Sequence, residues 1–226
     1  YVVLLGNVGS GKSLITEKLV DVTGRSSAAS TAMTKISEVY ELYDGSMLIC
    51  DTPGSNAMDN KSERNLHIAH AFNFLPVSCV LLVVKADIRQ DTVLETVKDY
   101  CARFQSANLP QELLGVCITH MDQVAWTKGE MLAVLQSHLN IVSAVFLSHD
   151  TPKEVLKKEL LFECSKRTPT AVNVDDTKFQ NLFYNSSSQL KEIECSKKVR
   201  NLRQSVFERI IMIIYQNNIG HQTLLL

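Results

Sequence analysis

The sequence predicts a three-layer α/β fold, with a mostly parallel central sheet, one antiparallel edge strand and helices on both faces. Short apolar runs alternate with amphipathic stretches of helical length, the pattern of strand–helix–strand crossovers. The first apolar run, "YVVLL", meets a glycine-rich turn that opens directly into a helix. Two strand-like segments, "SEVYELY" and "SMLIC", flank Asp44-Gly45, a hairpin signal that makes one pair antiparallel.

Taken in order, Tyr1 to Leu5 reads as a buried strand, and Leu14, Ile15, Lys18 and Leu19 begin an amphipathic helix. "TGRSSAASTAMTK" is small and hydroxylated, lacks an apolar period and reads as a mobile loop. "SEVYELY" alternates like a half-exposed edge strand, whereas "SMLIC" runs into Asp51 like an interior one. "SERNLHIAHAFNFL" carries a helical stripe, ended by Pro76, and "VSCVLLVV" is apolar enough for the sheet centre. A helix with Val93, Val97, Tyr100, Cys101 and Phe104 on one face follows, then the strand "GVCIT", the helix "KGEMLAVLQSHL" and the strand "VSAVFL". From Cys164 to Ser188 the period is lost. It resumes with Leu190, Ile193, Val199, Leu202, Val206, Ile210 and Ile213, mostly three or four apart. The expected organisation is one domain over 1–163, a loop-rich connection over 164–188, and an amphipathic helix over 189–216. That helix packs on the domain or pairs with a partner.

A chain of 226 residues holds one such domain with an extension. Its 23 basic and 24 acidic residues leave no electrostatic footprint for nucleic acid or an anionic membrane. Six cysteines stand singly, without a Cys-x-x-Cys pair, as suits a reducing compartment, and the expected location is cytoplasmic. No signal peptide or apolar membrane span is visible. The first residue, Tyr1, already reads as core strand, which fits an excised or processed domain. His67 and His70 are read as a half-exposed helix face rather than metal ligands, having no cysteine or carboxylate partner. Trp126 is read as packing over a ligand edge or the next helix.

Chemistry concentrates at strand ends. "GNVGSGKS" comprises Gly6, Asn7, Val8, Gly9, Ser10, Gly11, Lys12 and Ser13, with Leu14 beginning the helix. A glycine-rich turn of this kind wraps phosphates in backbone N–H groups, with the Lys12 ammonium on phosphate and the Ser13 hydroxyl on Mg²⁺. "DTPG" follows a strand, so Asp51 serves Mg²⁺ through water and Gly54 offers its N–H to a γ-phosphate. Thr31 and Thr34 both could place a hydroxyl on Mg²⁺, and Thr34 is chosen. In "ITHMD", the Asp122 carboxylate is suited to the N1–H and exocyclic amine of guanine. Thr119 begins this motif and His120 lies along the base. The plainer role for Asp122 is to cap the next helix. Ser148, after the last strand, comes to the same sheet edge.

"GNVGSGKS", "DTPG", "CVLLVVKADIRQD" and "THMD", in this order, resemble the avirulence-induced-gene (AIG) type G domain of immunity-associated and chloroplast-import Toc GTPases, and more distantly septins. The resemblance spans about Tyr1 to Phe162. The helix–strand stretch from Ser62 to Arg103 and the Thr-x-x-Asp motif point to this branch. It implies a P-loop NTPase G domain that binds GTP and GDP with Mg²⁺ as cofactor, with Ser148 and His149 in "LSHD" as its last base-contacting loop. It also implies a nucleotide-dependent homodimer, or assembly with a related G domain, working at membranes or in defence and import. A membrane surface would be reached through segments outside this chain. The base motif departs from the widespread Asn-Lys-x-Asp form, so the hydrogen bonds of that Asn are missing.

GTPases of the Ras type place a water-orienting Gln after the third-motif glycine, and here that position is Ser55. Lys12 and Thr34 are then the catalytic candidates, hydrolysis is expected to be slow, and a partner protomer could supply the missing group. A scaffold that holds GTP without turnover is the alternative. An ABC-type ATPase lacks its "LSGGQ" stretch here, and a nucleotide kinase lacks an Arg-rich lid and leaves "DTPG" and "THMD" without roles.

Overall fold

The computed structural model describes residues 1–21, 34, 36–55 and 61–174, with the side chains of 61–63 excepted. These belong to one compact unit, Tyr1–Asn185. Thr31, most of the expected 164–188 connection and the whole 189–216 segment lie outside the described residues.

β1 (Val2–Leu5), α1 (Lys12–Val20), β2 (Glu38–Glu41), β3 (Leu48–Asp51), α2 (Lys61–Phe72) and β4 (Cys79–Lys85) form the first half. α3 (Gln90–Ser106), β5 (Leu114–Thr119), α4 (Lys128–Leu139), β6 (Val145–Phe146) and α5 (Lys153–Ser165) follow. The 6-stranded sheet has the order β2-β3-β1-β4-β5-β6. β1 pairs in parallel with β3 (Leu4↔Asp51) and β4 (Leu5↔Leu82), and β5 in parallel with β4 (Lys85↔Thr119) and β6. β2 alone runs antiparallel, against β3. Parallel pairing sends the carboxyl ends of β1, β3, β4, β5 and β6 to one edge, where ligands of such sheets bind.

Strand alternation splits the core in two. Val3, Leu5, Cys50, Val80, Leu82, Val116 and Ile118 face Ile68 and Phe72 of α2, Val93, Val97 and Phe104 of α3, and Met131 and Leu135 of α4. Val2, Leu4, Ile49, Leu81, Val83 and Cys117 face Ile15 and Leu19 of α1, with Leu156 and Leu160 of α5. This is the expected layered sheet with helices on both faces.

Four details differ from the sequence reading. The hairpin connection runs from Leu42 to Met47, not as a tight Asp44-Gly45 pair. Gly45 takes φ 66°, and Leu42 N–H bonds Met47 O at 3.0 Å. β6 is shorter than "VSAVFL", since only Val145 and Phe146 join β5. On α3, Leu94 is buried and Cys101 only half-buried. His67 and His70 are 3% and 8% exposed, not a half-exposed face. The reason is cover from the chain before β2. Ser37 Oγ donates to His67 O at 2.8 Å and Arg64 Nη1 to Thr34 O at 3.1 Å, so α2 is buried on the side that its polar residues assigned to water. Among the described residues no three His, Cys, Asp or Glu side chains gather into a group that could hold a metal ion. No helix among them is long and apolar enough to cross a membrane.

Candidate nucleotide-binding site

The turn between β1 and α1 is built by glycines with specific reasons. A Cβ on Gly6 would stand 2.2 Å from Val83 O, and Gly11, at φ 93°, approaches the Thr119 side chain. Gly11 caps α1 without any side-chain hydrogen bond, and no acidic residue occupies the first turn. The first N–H groups of α1 and its positive dipole end therefore face the site, an arrangement suited to an anion.

Lys12 folds back over this turn. Its Nζ donates to Gly6 O at 3.0 Å and Asn7 O at 2.9 Å. Burial lowers its pKa to about 8, opposed by the Asp51 carboxylate. Thr119, buried at the end of β5, donates its hydroxyl to Ser10 O at 2.8 Å and ties β5 to the turn.

Ser13, Thr34 and Asp51 converge from three segments. Ser13 Oγ lies 2.9 Å from Thr34 Oγ1 and donates to Asp51 Oδ2 at 2.7 Å, while Thr34 Oγ1 donates to the same Oδ2 at 3.3 Å. Two hydroxyls and a carboxylate beside an anion site are hard oxygen donors of the kind Mg²⁺ accepts together with phosphate oxygens. The set fits that ion, with Ser13, Thr34 and Asp51 as the residues that would hold it.

Gly54 lies against the turn: a Cβ there would come within 2.4 Å of Val8 Cγ2 and 2.7 Å of Val8 N. Next to it, Ser55 N–H donates to Gly6 O at 3.2 Å. The Ser55 hydroxyl is engaged with Asn7 Oδ1 at 3.3 Å and with the Tyr100 hydroxyl.

A pocket opens beside Gly11 and Leu14, lined by Thr119, His120, Asp122, Ser148 and His149. Asp122 sits in a 3-10 turn (Met121–Gln123) entered through His120 at φ 58°. Its Oδ1 accepts the His149 N–H at 3.0 Å. That bond is the main cause of a carboxyl pKa held below its ordinary value. The plainer role expected of Asp122 falls to another residue. Thr127 caps α4 with a reciprocal capping box, Glu130 N–H to Thr127 Oγ1 at 3.2 Å and Thr127 N–H to Glu130 at 2.6 Å. Trp126 Nε1 donates to Asp87 O at 2.8 Å, and its ring packs on the core beside α4.

The structure thus brings Gly6 to Leu14, Thr34, Asp51 and Gly54 to one side of the sheet edge, and Thr119, His120, Asp122, Ser148 and His149 to the other. Sequence reasoning missed three contributors. Lys18 Nζ donates to His149 O and to Thr151 O at 3.1 Å, fastening the pocket's last loop to α1. Arg64 holds the Thr34 carbonyl, and Tyr100 touches the turn. Lys18 was legible as lying one helical turn beyond Leu14; the other two are long-range contacts without a motif.

Comparison with known proteins bears on the fold and the family. The profile of the 50S ribosome-binding GTPase family matches residues 1–115. No curated protein matches the chain. Among solved structures, NFeoB from S. thermophilus bound to mGMPPNP shares 15% identity over 92% of this chain and 88% of that one, with TM-score 0.53. A probable GTP-binding protein engB shares 16% over 74% and 99%, with TM-score 0.50. The SsGBP variant G235P shares 12% over 73% of this chain, with TM-score 0.52, and this chain spans 55% of its length. At such identities these structures support the fold alone, and they do not single out the AIG branch. With half of its length matched by the family profile, a stretch that includes the glycine-rich turn after β1, the chain belongs to the 50S ribosome-binding GTPase family and carries a GTP-binding G domain.

Proposed function

We propose that this chain is a guanine-nucleotide switch that binds GTP and GDP with Mg²⁺, hydrolyses GTP slowly, and dimerises in its triphosphate state. One observation carries the reading. An ionised carboxylate, Asp122, is fixed by the His149 amide on the rim of a pocket that begins at the N-terminus of α1. That arrangement suits a purine with two donors on one edge and phosphates at the helix end.

Within this reading Lys12 and the α1 amides receive the β- and γ-phosphates, and Ser13, Thr34 and Asp51 hold the cation. Mg²⁺, when bound, neutralises charge developing on the phosphate oxygens. Lys12 adds a second positive charge there, and the Thr34 hydroxyl stands with Ser13 and Asp51 beside the terminal phosphate. The Ser55 hydroxyl is turned toward Asn7 and Tyr100, which leaves no Gln-like group in that position to orient water. Slow turnover follows, with acceleration by a group from a second protomer. Kinship with AIG-type domains rests on Thr119-His120-Met121-Asp122 and on the stretch from Ser62 to Arg103, and the singly placed cysteines suit a reducing, cytoplasmic setting.

Titration of GTP, GDP and ATP in Mg²⁺, with molar mass followed by light scattering, tests the reading. Both guanine nucleotides should bind far better than ATP, and mass should rise with a non-hydrolysable GTP analogue only. Equal affinity for ATP would overturn the base assignment, and one mass with either nucleotide would overturn the dimer. The engagement of Ser55 also favours a second reading, a GTP-holding scaffold without turnover. Phosphate release measured against protein concentration separates the two.

A further inference from the structure

One buried hydroxyl reaches the phosphate-binding turn from a helix that carries none of the nucleotide motifs. Tyr100 of α3 is 2% exposed, and its hydroxyl donates to Asn7 Oδ1 at 2.8 Å and touches Ser55 Oγ. Ser55 Oγ lies 3.3 Å from the same Asn7 oxygen. Asn7 Oδ1 can only accept. One of the two hydroxyls donates to it directly and both belong to one three-membered network, because Tyr100 and Ser55 each reach Asn7 Oδ1 and also touch one another. Burial raises the phenol to about 12, so it remains a donor at any ordinary pH. A phenylalanine would fill the same apolar space, and among the described residues the hydroxyl bonds Asn7 and Ser55, of the two segments that flank the terminal phosphate position.

These contacts bracket Gly54. On one side its backbone is pressed on Val8, and on the other Ser55 N–H is bonded to Gly6 O at 3.2 Å. Gly6 O and Asn7 O are also the acceptors of Lys12 Nζ. The Tyr100 hydroxyl thus fastens, at one point, the turn that carries Lys12 and the segment that carries Gly54.

We propose that Tyr100 is a positioning residue for the terminal phosphate: through Asn7 and Ser55 it holds Gly54 against the phosphate-binding turn, and so links the occupant of that position to α3. The proposal rests on the nucleotide reading above. It concerns only the tri- against diphosphate distinction, because a diphosphate makes no demand on Gly54. Removing the hydroxyl lets the segment after β3 fluctuate away from the turn, and a triphosphate must then order it on binding.

The test is binding of GDP and of a non-hydrolysable GTP analogue, with Mg²⁺, to the wild-type chain, Tyr100→Phe, Ser55→Ala and the double variant. Tyr100→Phe should lower affinity for the analogue roughly threefold to tenfold, the worth of one net hydrogen bond, and leave GDP affinity within about twofold. Ser55→Ala should act in the same direction, and the double variant should cost less than the product of the singles, since both act through one contact. Should Tyr100→Phe fail to fold, the Ser55→Ala arm decides by the same ratio. An equal change for both nucleotides, no change, or a gain for the analogue overturns the proposal. Wild-type protein that binds neither nucleotide overturns the nucleotide reading and this coupling with it.

Discussion

Ser13 donates its hydroxyl to Asp51 Oδ2 at 2.7 Å, joining the first turn of α1 to the end of β3 across 38 residues of sequence. The Leu4↔Asp51 register makes this contact available, since it sets the carboxylate level with the end of β1, where the phosphate-binding turn begins. A hydroxyl and a carboxylate so placed would share one divalent cation.

Ser13→Ala is expected to weaken triphosphate binding tenfold or more in Mg²⁺ and far less in EDTA. Fluorescence titration under the two conditions checks it. An equal loss in both would show that Ser13 supports the turn and has no cation to hold.

The sheet, the phosphate-binding turn and the strand-end positions of Asp51 and Thr119 were legible because each is a local signal: an apolar run, a glycine pattern, a residue at a run's end. What was hidden depends on contacts far apart in sequence. Burial of His67 and His70 follows from Ser37 and Arg64 contacts across 30 residues, against a periodicity that assigned that face to water. The partner of Asp122 is a backbone N–H 27 residues on, which no side-chain pattern encodes. The cap of α4 is local, Thr127 with Glu130 three residues later, whereas Asp122 is fixed by a distant amide.

Lys12 gives a pH dependence. Its pKa is about 8 in the free protein, lowered by burial. Phosphate favours the charged form, so the complex keeps the proton to higher pH. Triphosphate affinity should therefore be flat below about pH 7 and fall above about 8, by at most about tenfold per pH unit. Lys12→Ala should bind weakly and without that slope. In the free protein the unfolded chain holds this proton longer than the folded one, so Lys12 makes stability rise from pH 8 toward its ordinary 10.5. Binding curves at pH 6.5 to 9 decide.

Gly54→Ala places a methyl 2.4 Å from Val8 Cγ2 and 2.8 Å from Val8 Cα, and the backbone part of that clash has no rotamer to relieve it. The expected cost is about 1–3 kcal/mol in urea unfolding, together with loss of discrimination between tri- and diphosphate. Gly9→Ala is the comparison. Its site is open and only the φ of +75° is strained, so its stability cost should be nearer 1 kcal/mol. Stability loss in the reverse order would mean that the segment after β3 moves aside freely.

Thr127→Ala removes the α4 cap and should cost about 1 kcal/mol of stability. Guanine preference should not change, because among the described residues the Thr127 side chain bonds only Glu130 of its own helix. A shift in nucleotide preference would show that α4 packing sets the base pocket.

Asp122 carries the sharpest expectation. Its Oδ1 is taken by the His149 amide, which fixes the carboxylate plane and, in an Asn at that position, would hold the amide oxygen on the His149 side. The NH₂ would then replace Oδ2, so the edge facing the base changes from two acceptors to one acceptor and one donor. Guanine presents N1–H and an amine and meets a donor with a donor. Xanthine presents N1–H and a C2 carbonyl and is matched. Asp122→Asn is therefore expected to lose GTP affinity by roughly tens- to several hundredfold and gain XTP, the scale of a charge-assisted pair replaced by a mismatch. The His149 bond survives the substitution, so melting temperature should hardly move. Competition between GTP and XTP on wild type and variant reads the exchange directly. Unchanged GTP affinity would leave Asp122 as an anchor for the His149 loop and return the choice between guanine and adenine to experiment.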